Sequence, residues 1–362
     1  MNIKKPTLLL DEKKCRDNIS KMISKARKHN VEFRPHFKTH QSLEIGRWFR
    51  EAGTEKITVS SLSMASYFSE EWNDITVAFP VNILEIDTIN ELAGKIRLNL
   101  LVESVETIKF LKDNLKYPAG FFIKIDLGSH RTGIDPSDTE KIEKILEKSD
   151  GSEKLKFMGF LGHAGHTYHS KSTSEIKAIQ NFSMDMMSTL KKNYIHKYPD
   201  LIISTGDTPG CSLSDNFSGT DEIRPGNFVF YDLMQLRLGS NTEDQIAVAM
   251  ACPVVAIHKE RNEIIIYGGG IHFSKERLEN ETEGVIYGRV VEATPEGWGG
   301  IIPGMYLKSL SQEHGIVAVP ANEISKYSIG DILIILPVHS CMTADCMKSY
   351  LTLSNREISM MK

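Results

Sequence analysis

A regular alternation of short apolar runs with amphipathic stretches constrains the fold of this chain more than any other feature. The amphipathic stretches place apolar residues three and four positions apart, as a helix with one buried face requires. They are Lys13–Lys28, Ser42–Glu51, Ile83–Ala93, Ser104–Leu115, Asp138–Lys148 and Ser174–Tyr194. The apolar runs are predicted to be strands: Glu32–Phe37, Ile57–Ser60, Ile75–Phe79, Arg97–Val102, Gly120–Ile125, Lys156–Leu161, Leu201–Ser204 and Phe228–Tyr231.

Strands that alternate with helices pair in parallel, so this pattern indicates an α/β protein with a parallel sheet. Eight strand–helix pairs predict a closed (β/α)8 barrel of the TIM type, in which functional residues lie at the carboxyl ends of the strands. Periodicity alone leaves a doubly wound open sheet as the alternative.

The pattern changes after about Gly239, where helical stretches become few. The runs that follow are rich in β-branched residues: Val248–His258, Glu263–Tyr267, Val285–Ala293, Gly315–Pro320 and Asp331–Pro337. They predict a second, mostly antiparallel β domain, and we expect Pro6–Leu10 to add a strand to it. The predicted domains are therefore a barrel over residues 11–239 and a β domain over residues 1–10 plus 240–362.

Composition and charge exclude several classes of protein. A formal net charge of -4 argues against a nucleic-acid-binding protein, which concentrates basic residues on one surface. No apolar run is long enough to cross a bilayer. The apolar stretch after the first residues stops at Asp11, so we expect no export signal. An odd number of scattered cysteines does not form a disulfide framework, and we expect reduced thiols in the cytoplasm: Cys15, Cys211, Cys252, Cys341 and Cys346.

Lys38 follows the first predicted strand, in the segment Arg34-Pro35-His36-Phe37-Lys38-Thr39-His40. A lysine in the mouth of a barrel is partly desolvated, which favours the neutral, nucleophilic amine of a Schiff-base lysine. A lysine after a strand is more commonly a solvated surface residue. The flanking histidines favour the functional interpretation.

This segment resembles the lysine motif of the D-threonine aldolase and D-serine dehydratase family, alanine-racemase-like enzymes of fold type III that depend on pyridoxal 5′-phosphate (PLP). The resemblance covers nearly the whole chain and continues through segments in the family's order: Pro6–Asp11, Val77–Pro80, Gly162–Tyr168, Glu222–Asn227 and His339–Cys341. It implies that Lys38 carries PLP in the barrel domain, that the substrate is a small amino acid, and that the protein is a homodimer.

Two loops predict the site of the PLP phosphate. Thr205, Gly206 and Asp207 follow the seventh predicted strand, while Gly226 and Asn227 lie near the eighth. Barrel enzymes often bind phosphate with the loops after these two strands, and small residues let backbone N–H groups approach an anion. A carboxylate repels phosphate, so we expect the Asp207 side chain to point away. Two ordinary turns are the alternative.

The resemblance also implies roles for residues after the fifth and sixth strands. Arg131 is expected to face the pyridine nitrogen of PLP, where a guanidinium donates a hydrogen bond but does not give up a proton. His166 and Tyr168 are expected beside the PLP ring and the substrate. His163 belongs to the same cluster, for which a hydrogen-bonded core feature is the alternative; a surface salt bridge is the alternative for Arg131.

His339 and Cys341 are the candidate metal ligands. Both residue types bind zinc, and positions two apart in an extended segment face the same side. In the D-serine dehydratases that the chain resembles, the corresponding pair holds Zn²⁺; D-threonine aldolases typically have an aspartate at the second position, which suits harder ions. Cys341 therefore favours Zn²⁺, with Mn²⁺ or another divalent ion as the alternative. Cys346 is a possible accessory thiol, and Gln312–Gly315 is assigned to the substrate side.

The predicted activity is that of a PLP- and metal-dependent lyase acting on a β-hydroxy D-amino acid. We expect a dehydratase of the D-serine dehydratase type that forms a 2-oxo acid and ammonia, with Lys38 as the base and the metal on His339 activating the hydroxyl. Retro-aldol cleavage to glycine and an aldehyde is the first alternative. An amino-acid racemase, which needs a second base such as Tyr306 or Tyr327, and a non-catalytic PLP carrier are the others.

Overall fold

The computed structural model describes residues 2–362, which divide into two units. The barrel unit comprises residues 21–38 and 46–226, and the sheet unit comprises residues 2–20, 39–45 and 227–362. Met1, which the predicted β domain includes, lies outside the described residues. Strand β1 (Thr7–Leu10) and helix α1 (Glu12–Lys28) come first in the chain.

Eight parallel strands form the barrel unit. They are β2 (Glu32–Phe33), β3 (Ile57–Val59), β4 (Asp74–Pro80), β5 (Arg97–Val102), β6 (Ala119–Ile125), β7 (Leu155–Gly162), β8 (Ile202–Thr205) and β9 (Glu222–Ile223). Their order is β2-β9-β8-β7-β6-β5-β4-β3, and a parallel bridge between His36 and Thr58 joins the two outer strands. The predicted (β/α)8 barrel is thus confirmed, and the bridge excludes an open doubly wound sheet.

Two predicted strands are wrong in position. The eighth strand is Glu222–Ile223 rather than Phe228–Tyr231, because residues Asn227–Val229 form a short 3-10 turn. The first strand ends at Phe33 rather than Phe37. At the eighth strand the ladder includes a charged residue, Glu222, which the apolar pattern does not mark as strand, whereas the first strand begins at Glu32 as predicted and differs only at its end.

Helices follow most barrel strands, close to the predicted bounds. They are α2 (Leu43–Glu51), α3 (Leu62–Phe68), α4 (Ile86–Ala93), α5 (Val105–Asn114), α6 (Thr139–Ser149), α7 (Thr173–Tyr194) and α8 (Thr208–Leu213). Ser104 is the N-cap of α5 and its side chain accepts a hydrogen bond from the backbone N–H of Thr107. Every helix among residues 2–362 is too short or too polar to cross a membrane.

A charged network links strands that are not neighbours in the barrel. Arg34 donates from Nε to Glu222 at 2.7 Å and from Nη1 to Asp74 at 2.6 Å, so it connects β9 with the start of β4. Ser204 donates to Glu222 at 2.6 Å, and Arg224 donates from Nε to Ser204 at 2.8 Å. Buried charges are tolerated when they are paired in this way. The network is thus a continuous chain of hydrogen bonds from Asp74 to Arg224.

The sheet unit is mostly antiparallel, as predicted. Its further strands are β10 (Val248–His258), β11 (Glu263–Tyr267), β12 (Leu278–Asn280), β13 (Gly284–Ile286), β14 (Gly288–Thr294), β15 (Gly297–Leu310), β16 (His314–Ala318), β17 (Ile332–Pro337), β18 (Ser349–Thr352) and β19 (Glu357–Ser359). Nine strands follow the order β11-β16-β15-β14-β17-β10-β1-β18-β19, and β10 also pairs with β11. Six of these strands therefore close into a ring.

The N-terminal strand belongs to this sheet. Thr7–Leu10 pairs antiparallel with residues 248–251 of β10 and parallel with β18, which confirms the strand predicted at Pro6–Leu10. Three short helices complete the unit: α9 (Leu233–Arg237), α10 (Gly270–Phe273) and α11 (Ser340–Met347). Residue His339 is the N-cap of α11, so this helix begins where β17 has just ended.

Candidate active site

Lys38 follows a firmly packed residue. The buried ring of Phe37 contacts Trp72 and Phe68 edge-on, with centroids 5.1 and 5.0 Å apart. The backbone N–H of Phe37 donates to the carbonyl of Thr58, and that of His36 donates to Pro225. These bonds hold the segment before Lys38 between β9 and β3. The Lys38 side chain is exposed between the buried residues Phe37 and Thr39, so the partial desolvation that we expected is not found.

His163 lies at the end of β7, beside the loop after β8. Its Nδ1 is 3.0 Å from the carbonyl oxygen of Gly206, and since a carbonyl only accepts, Nδ1 carries the proton and Nε2 is left as an acceptor. Burial, aided by the positive charges of Lys38, Arg224 and Lys124, lowers the pKa of His163 to about 3 despite this hydrogen bond. The imidazole is therefore neutral at physiological pH.

The loop after β8 brings the backbone close to β9. Gly206 has φ of +122°, and a Cβ there would lie 2.8 Å from the Arg224 backbone nitrogen, so the position requires glycine. Asp207 caps α8: it accepts hydrogen bonds from Gly210 N–H at 2.7 Å and from the Thr167 hydroxyl at 2.8 Å. Burial raises the pKa of Asp207 to about 6, against those two bonds. The buried Thr205 hydroxyl lies 3.3 Å from that of Thr220.

Arg224 is a buried residue that sequence reasoning did not single out. Besides its bond to the Ser204 side chain, it donates to the backbone carbonyls of Ser204 and Gly162, so it ties together the ends of β8 and β7. Lys124, also buried, donates to the carbonyl of Ile125 at 2.7 Å. Burial and the charges of Arg224 and Arg131 lower the pKa of Lys124 to about 8. The signal for Arg224 was its place in Glu222–Asn227, which resembles the family.

The structure separates the other predicted barrel residues by exposure. Arg131 is exposed, and its charge acts on Lys124. His166 is partly buried, with burial lowering its pKa, and its Nδ1 has no hydrogen-bond partner among the described residues. The hydroxyl of Tyr168 accepts a hydrogen bond from the backbone N–H of Thr208 at 3.3 Å. Tyr168 therefore touches the segment after β8, and Arg131 is in the loop after β6.

Gly226 and Asn227 are adjacent in sequence, and the contacts of the Asn227 side chain lie in the sheet unit. Gly226 is buried at the end of the barrel unit. Asn227 belongs to the sheet unit, where its Nδ2 is 2.7 Å from Asp232 Oδ2, 3.0 Å from Ser340 Oγ and 3.4 Å from Cys341 Sγ. Its side-chain amide is therefore engaged with the segment of the candidate metal ligands.

His339 and Cys341 come together at the start of α11, joined by a side-chain hydrogen bond. Burial disfavours the imidazolium, but Cys341, Asp232 and Glu276 together raise the pKa of His339 to about 9. No group of three or more His, Cys, Asp or Glu side chains that could hold a metal occurs among residues 2–362. Two side-chain ligands suit an ion that takes its remaining ligands from water and substrate, as catalytic ions do.

The remaining candidates in the sheet unit have structural contacts. Tyr306 donates to the carbonyl of Glu283 at 3.0 Å, and Tyr327 lies 3.3 Å from the sulfur of Met305. The segment Gln312–Gly315 includes the turn between β15 and β16 and accepts backbone bonds from residues 268 and 271. Cys346 is exposed on α11. No described contact gives either tyrosine the role of a second base.

Comparison with known proteins identifies the class of this fold. Residues 10–233 match the family model "Alanine racemase, N-terminal domain", and residues 247–353 match "Putative serine dehydratase domain". The chain is 30% identical to D-serine dehydratase of Dictyostelium discoideum, with 98% of this chain and 94% of that protein covered. It is 26% identical to D-threo-3-hydroxyaspartate dehydratase of Delftia sp. (strain HT23), with 96% and 94% covered.

Solved structures agree with this assignment of the fold. D-threo-3-hydroxyaspartate dehydratase from Delftia sp. HT23 matches with a TM-score of 0.91 at 24% identity, covering 99% of this chain and 98% of that one. D-threonine aldolase from Filomicrobium marinum matches with a TM-score of 0.85 at 17% identity over the same shares. The chain belongs to the D-serine dehydratase and D-threonine aldolase family of alanine-racemase-like proteins. The predicted family, fold class and enzyme class, a PLP-dependent lyase, are confirmed.

The residues of the barrel unit fit an anionic cofactor such as PLP. Lys38, Lys124 and Arg224 all act on His163, so three cations converge on one region at the ends of the strands. At Gly206 a Cβ would meet the backbone nitrogen of Arg224 and the sulfur of Cys211, so glycine lets this loop pack beside the cationic region. Lys38 supplies the amine that such a cofactor needs.

Proposed function

We propose that this protein dehydrates a β-hydroxy D-amino acid, in the manner of a D-serine dehydratase, to a 2-oxo acid and ammonia. The observation that carries the proposal is the contact of His339 with Cys341. A nitrogen and a sulfur ligand together suit zinc better than the harder ions, and a zinc ion that activates the β-hydroxyl favours its loss over cleavage of the Cα–Cβ bond.

The chain's own residues would divide the work as follows. Lys38 would hold PLP and, through its Nζ, take the proton from Cα of the substrate as general base. Bound PLP supplies the withdrawal of electrons from Cα. Thr205, Gly206, Asp207, Gly226 and Asn227 would offer backbone N–H groups to the cofactor phosphate. His163, held neutral by burial, would present its Nε2 as a hydrogen-bond acceptor.

His339 and Cys341 would hold the divalent ion. The ion supplies Lewis-acid activation of the β-hydroxyl, which then departs with the bonding electrons and is released as water. We propose Zn²⁺, with Mn²⁺ or another divalent ion as the alternative. A structure of D-threo-3-hydroxyaspartate dehydratase is described as a metal-free form, which agrees with a role for metal in that relative.

The substrate is proposed from the curated relatives. Three D-serine dehydratases and one D-threo-3-hydroxyaspartate dehydratase are similar to the chain over at least 94% of its length. D-Serine is therefore the first candidate and D-threo-3-hydroxyaspartate the second. Retro-aldol cleavage is the alternative reaction, favoured by the structural similarity to D-threonine aldolase.

Our further proposals rest on the family resemblance. We infer that Arg131 faces the cofactor's pyridine nitrogen and that His166 and Tyr168 lie beside its ring. We infer a homodimer, which sedimentation of the purified protein would test, and a cytoplasmic location, which agrees with five cysteines that form no disulfide among residues 2–362.

Product analysis tests the proposed reaction. The purified protein is given D-serine, D-threonine and D-threo-3-hydroxyaspartate, and 2-oxo acid, ammonia, glycine and aldehyde are measured. We expect oxo acid and ammonia in equal amounts from the preferred substrate, and no product from the Lys38→Ala variant. If glycine and an aldehyde are formed instead, the reaction is retro-aldol cleavage and not dehydration. Bound cofactor with no product from any substrate would contradict both reactions and favour a PLP carrier.

A further inference from the structure

The sulfur of Cys341 lies against two buried polar side chains in the sheet unit. Thr39 Oγ1 is 3.2 Å from Cys341 Sγ, and Asn227 Nδ2 is 3.4 Å from it. Thr39 is fully buried and Asn227 is 4% exposed. A metal-binding cysteine is deprotonated, and a thiolate only accepts hydrogen bonds. The hydroxyl of Thr39 and the amide of Asn227 are then both donors to the same sulfur.

The orientation of the Asn227 amide is fixed independently of Cys341. Its nearest neighbour, Asp232 Oδ2 at 2.7 Å, only accepts, so the atom facing it is the nitrogen. Asp232 is itself held, because it also accepts from the backbone N–H of Ser340 at 3.0 Å and from that of Gln235 at 2.9 Å. The amide therefore points its N–H groups at the start of α11 whether or not the sulfur carries a proton.

Thr39 is held just as firmly by the segment that contains it. The Tyr350 hydroxyl donates to the carbonyl of His40 at 2.9 Å, the Gln41 side chain donates to Asp345 at 2.9 Å, and the backbone N–H of Met361 donates to the carbonyl of Gln41. These bonds fix the two residues that follow Thr39. Its hydroxyl is thus a rigid neighbour of the sulfur, although it comes directly after Lys38 in the chain.

We propose that Thr39 and Asn227 are positioning residues for Cys341, which fix its sulfur for the metal and reduce the charge that the sulfur donates to it. The proposal rests on the proposed metal ligation by Cys341. Groups that orient a metal ligand commonly change metal affinity about 10–100-fold when they are removed.

The absorption spectrum of Co²⁺ bound to the PLP-loaded protein reports directly on ligation by the Cys341 sulfur. Co²⁺ is titrated into chelator-treated protein, and the difference spectrum is followed in the thiolate-to-metal charge-transfer region and in the visible bands of the ion. For Thr39→Val, which keeps the shape and removes the hydroxyl, we expect the charge-transfer band at longer wavelength and a dissociation constant raised about tenfold. Thr39→Ser, which restores the hydroxyl, should behave like the parent.

Two further variants complete the test. Asn227→Ala should also move the charge-transfer band to longer wavelength. If Thr39→Val does not fold, the test rests on Asn227→Ala. Thr352→Val removes the hydroxyl of another buried threonine in the same unit, which hydrogen-bonds residues 354 and 356, and should leave the spectrum unchanged. An unchanged spectrum and affinity in both Thr39→Val and Asn227→Ala would overturn the positioning role.

Failure of the underlying metal proposal looks different. If Cys341 is not a ligand, the parent shows no charge-transfer band that Cys341→Ser abolishes, whatever happens at Thr39. A band that is lost in Cys341→Ser but insensitive to Thr39 and Asn227 would leave the metal site in place and refute only the positioning role.

Discussion

His163 donates a hydrogen bond from Nδ1 to the carbonyl oxygen of Gly206, 3.0 Å away, and so joins the end of β7 to the loop after β8. The bond fixes the neutral tautomer of a histidine that burial and three nearby cations keep from charging. The proposed cofactor loop and the proposed cofactor lysine are thus connected through one ring whose charge state is set by its surroundings.

Acid should destabilise the protein through this histidine. The pKa of His163 is lowered to about 3 in the folded chain, against about 6.5 when unfolded, so the stability that it contributes is complete above pH 6.5. That contribution is lost as pH falls from about 6.5 towards 3, at up to about 1.4 kcal/mol per pH unit. We expect His163→Gln to flatten this part of the curve of unfolding free energy against pH. A slope equal to the parent's, or an equal change in the exposed His169→Gln control, would contradict the assignment.

Asp207 should act in the opposite direction. Burial raises its pKa to about 6 from an ordinary value near 3.8, so the folded state holds a proton more tightly than the unfolded state. The stability that this group contributes is complete below about pH 3.8 and is lost as pH rises through 6. Asp207→Asn should therefore gain stability relative to the parent across that window, by on the order of 2–3 kcal/mol at neutral pH. Chemical denaturation at several pH values measures it, with the exposed Asp215→Asn as control; a constant difference would refute the shift.

Truncation of Phe37 should affect both stability and cofactor binding. Its ring is fully buried against Trp72, Phe68 and Phe49, and it directly precedes Lys38. Phe37→Ala should lower the free energy of unfolding by about 3–5 kcal/mol and weaken PLP binding, measured by titrating the cofactor's absorption. Phe182→Ala, on a ring that is 61% exposed, should change stability by less than about 0.5 kcal/mol. Undiminished cofactor affinity in folded Phe37→Ala would show that this packing does not position Lys38.

Two arginines of the barrel unit should respond very differently to substitution. Arg224→Met leaves Ser204 and the Gly162 carbonyl without their buried donor, while Glu222 keeps Arg34, and we expect a loss of about 1–3 kcal/mol. Arg131→Met removes an exposed charge and should stay within about 0.5 kcal/mol. If Arg131 faces the pyridine nitrogen, its variant will nevertheless change the absorption spectrum of bound PLP. An unchanged spectrum would reject that role.

Metal removal should separate cofactor binding from chemistry. Treatment with a strong chelator should abolish oxo-acid formation and leave PLP bound, because the proposed metal ligands, His339 and Cys341, are distinct from the cofactor lysine. Added Zn²⁺ should restore the rate in the parent but not in His339→Ala. Full activity after verified removal of metal would refute a metal-assisted dehydration.

Most of the architecture could be predicted because apolar periodicity marks it. The strand at Arg97–Val102 and those at Val248–His258 and Glu263–Tyr267 have the predicted bounds. The longest strand, Gly297–Leu310, was missed because its glycines and proline mask the apolar pattern. The strand at Glu222 was missed because its charge is buried by pairing with Arg34, and no local pattern encodes a partner 188 residues away.

The candidate site shows the same difference between local features, which the sequence predicts, and contacts between distant residues, which it does not. Lys38, His339 and Cys341 were found through short segments that resemble a family, and adjacency in sequence is visible without a structure. The contact of Asn227 with Cys341 spans 114 residues and joins side chains from two different motifs. The role of Asn227 at the phosphate stays a prediction, because it concerns the backbone N–H. Where its side-chain amide points is decided by tertiary packing, which no local sequence pattern shows.

The closure of the barrel beside Lys38 has a kinetic consequence. Only Glu32 and Phe33 pair in ladder fashion with β9, and a single bridge at His36 joins the other side to β3. The ladder between β8 and β9 is equally short, so these two places in the ring should exchange their amide protons with deuterium before the longer ladders do. PLP bound to the Lys38 amine should slow amide exchange first at residues 34–37. Exchange at these residues would therefore report whether the cofactor is bound.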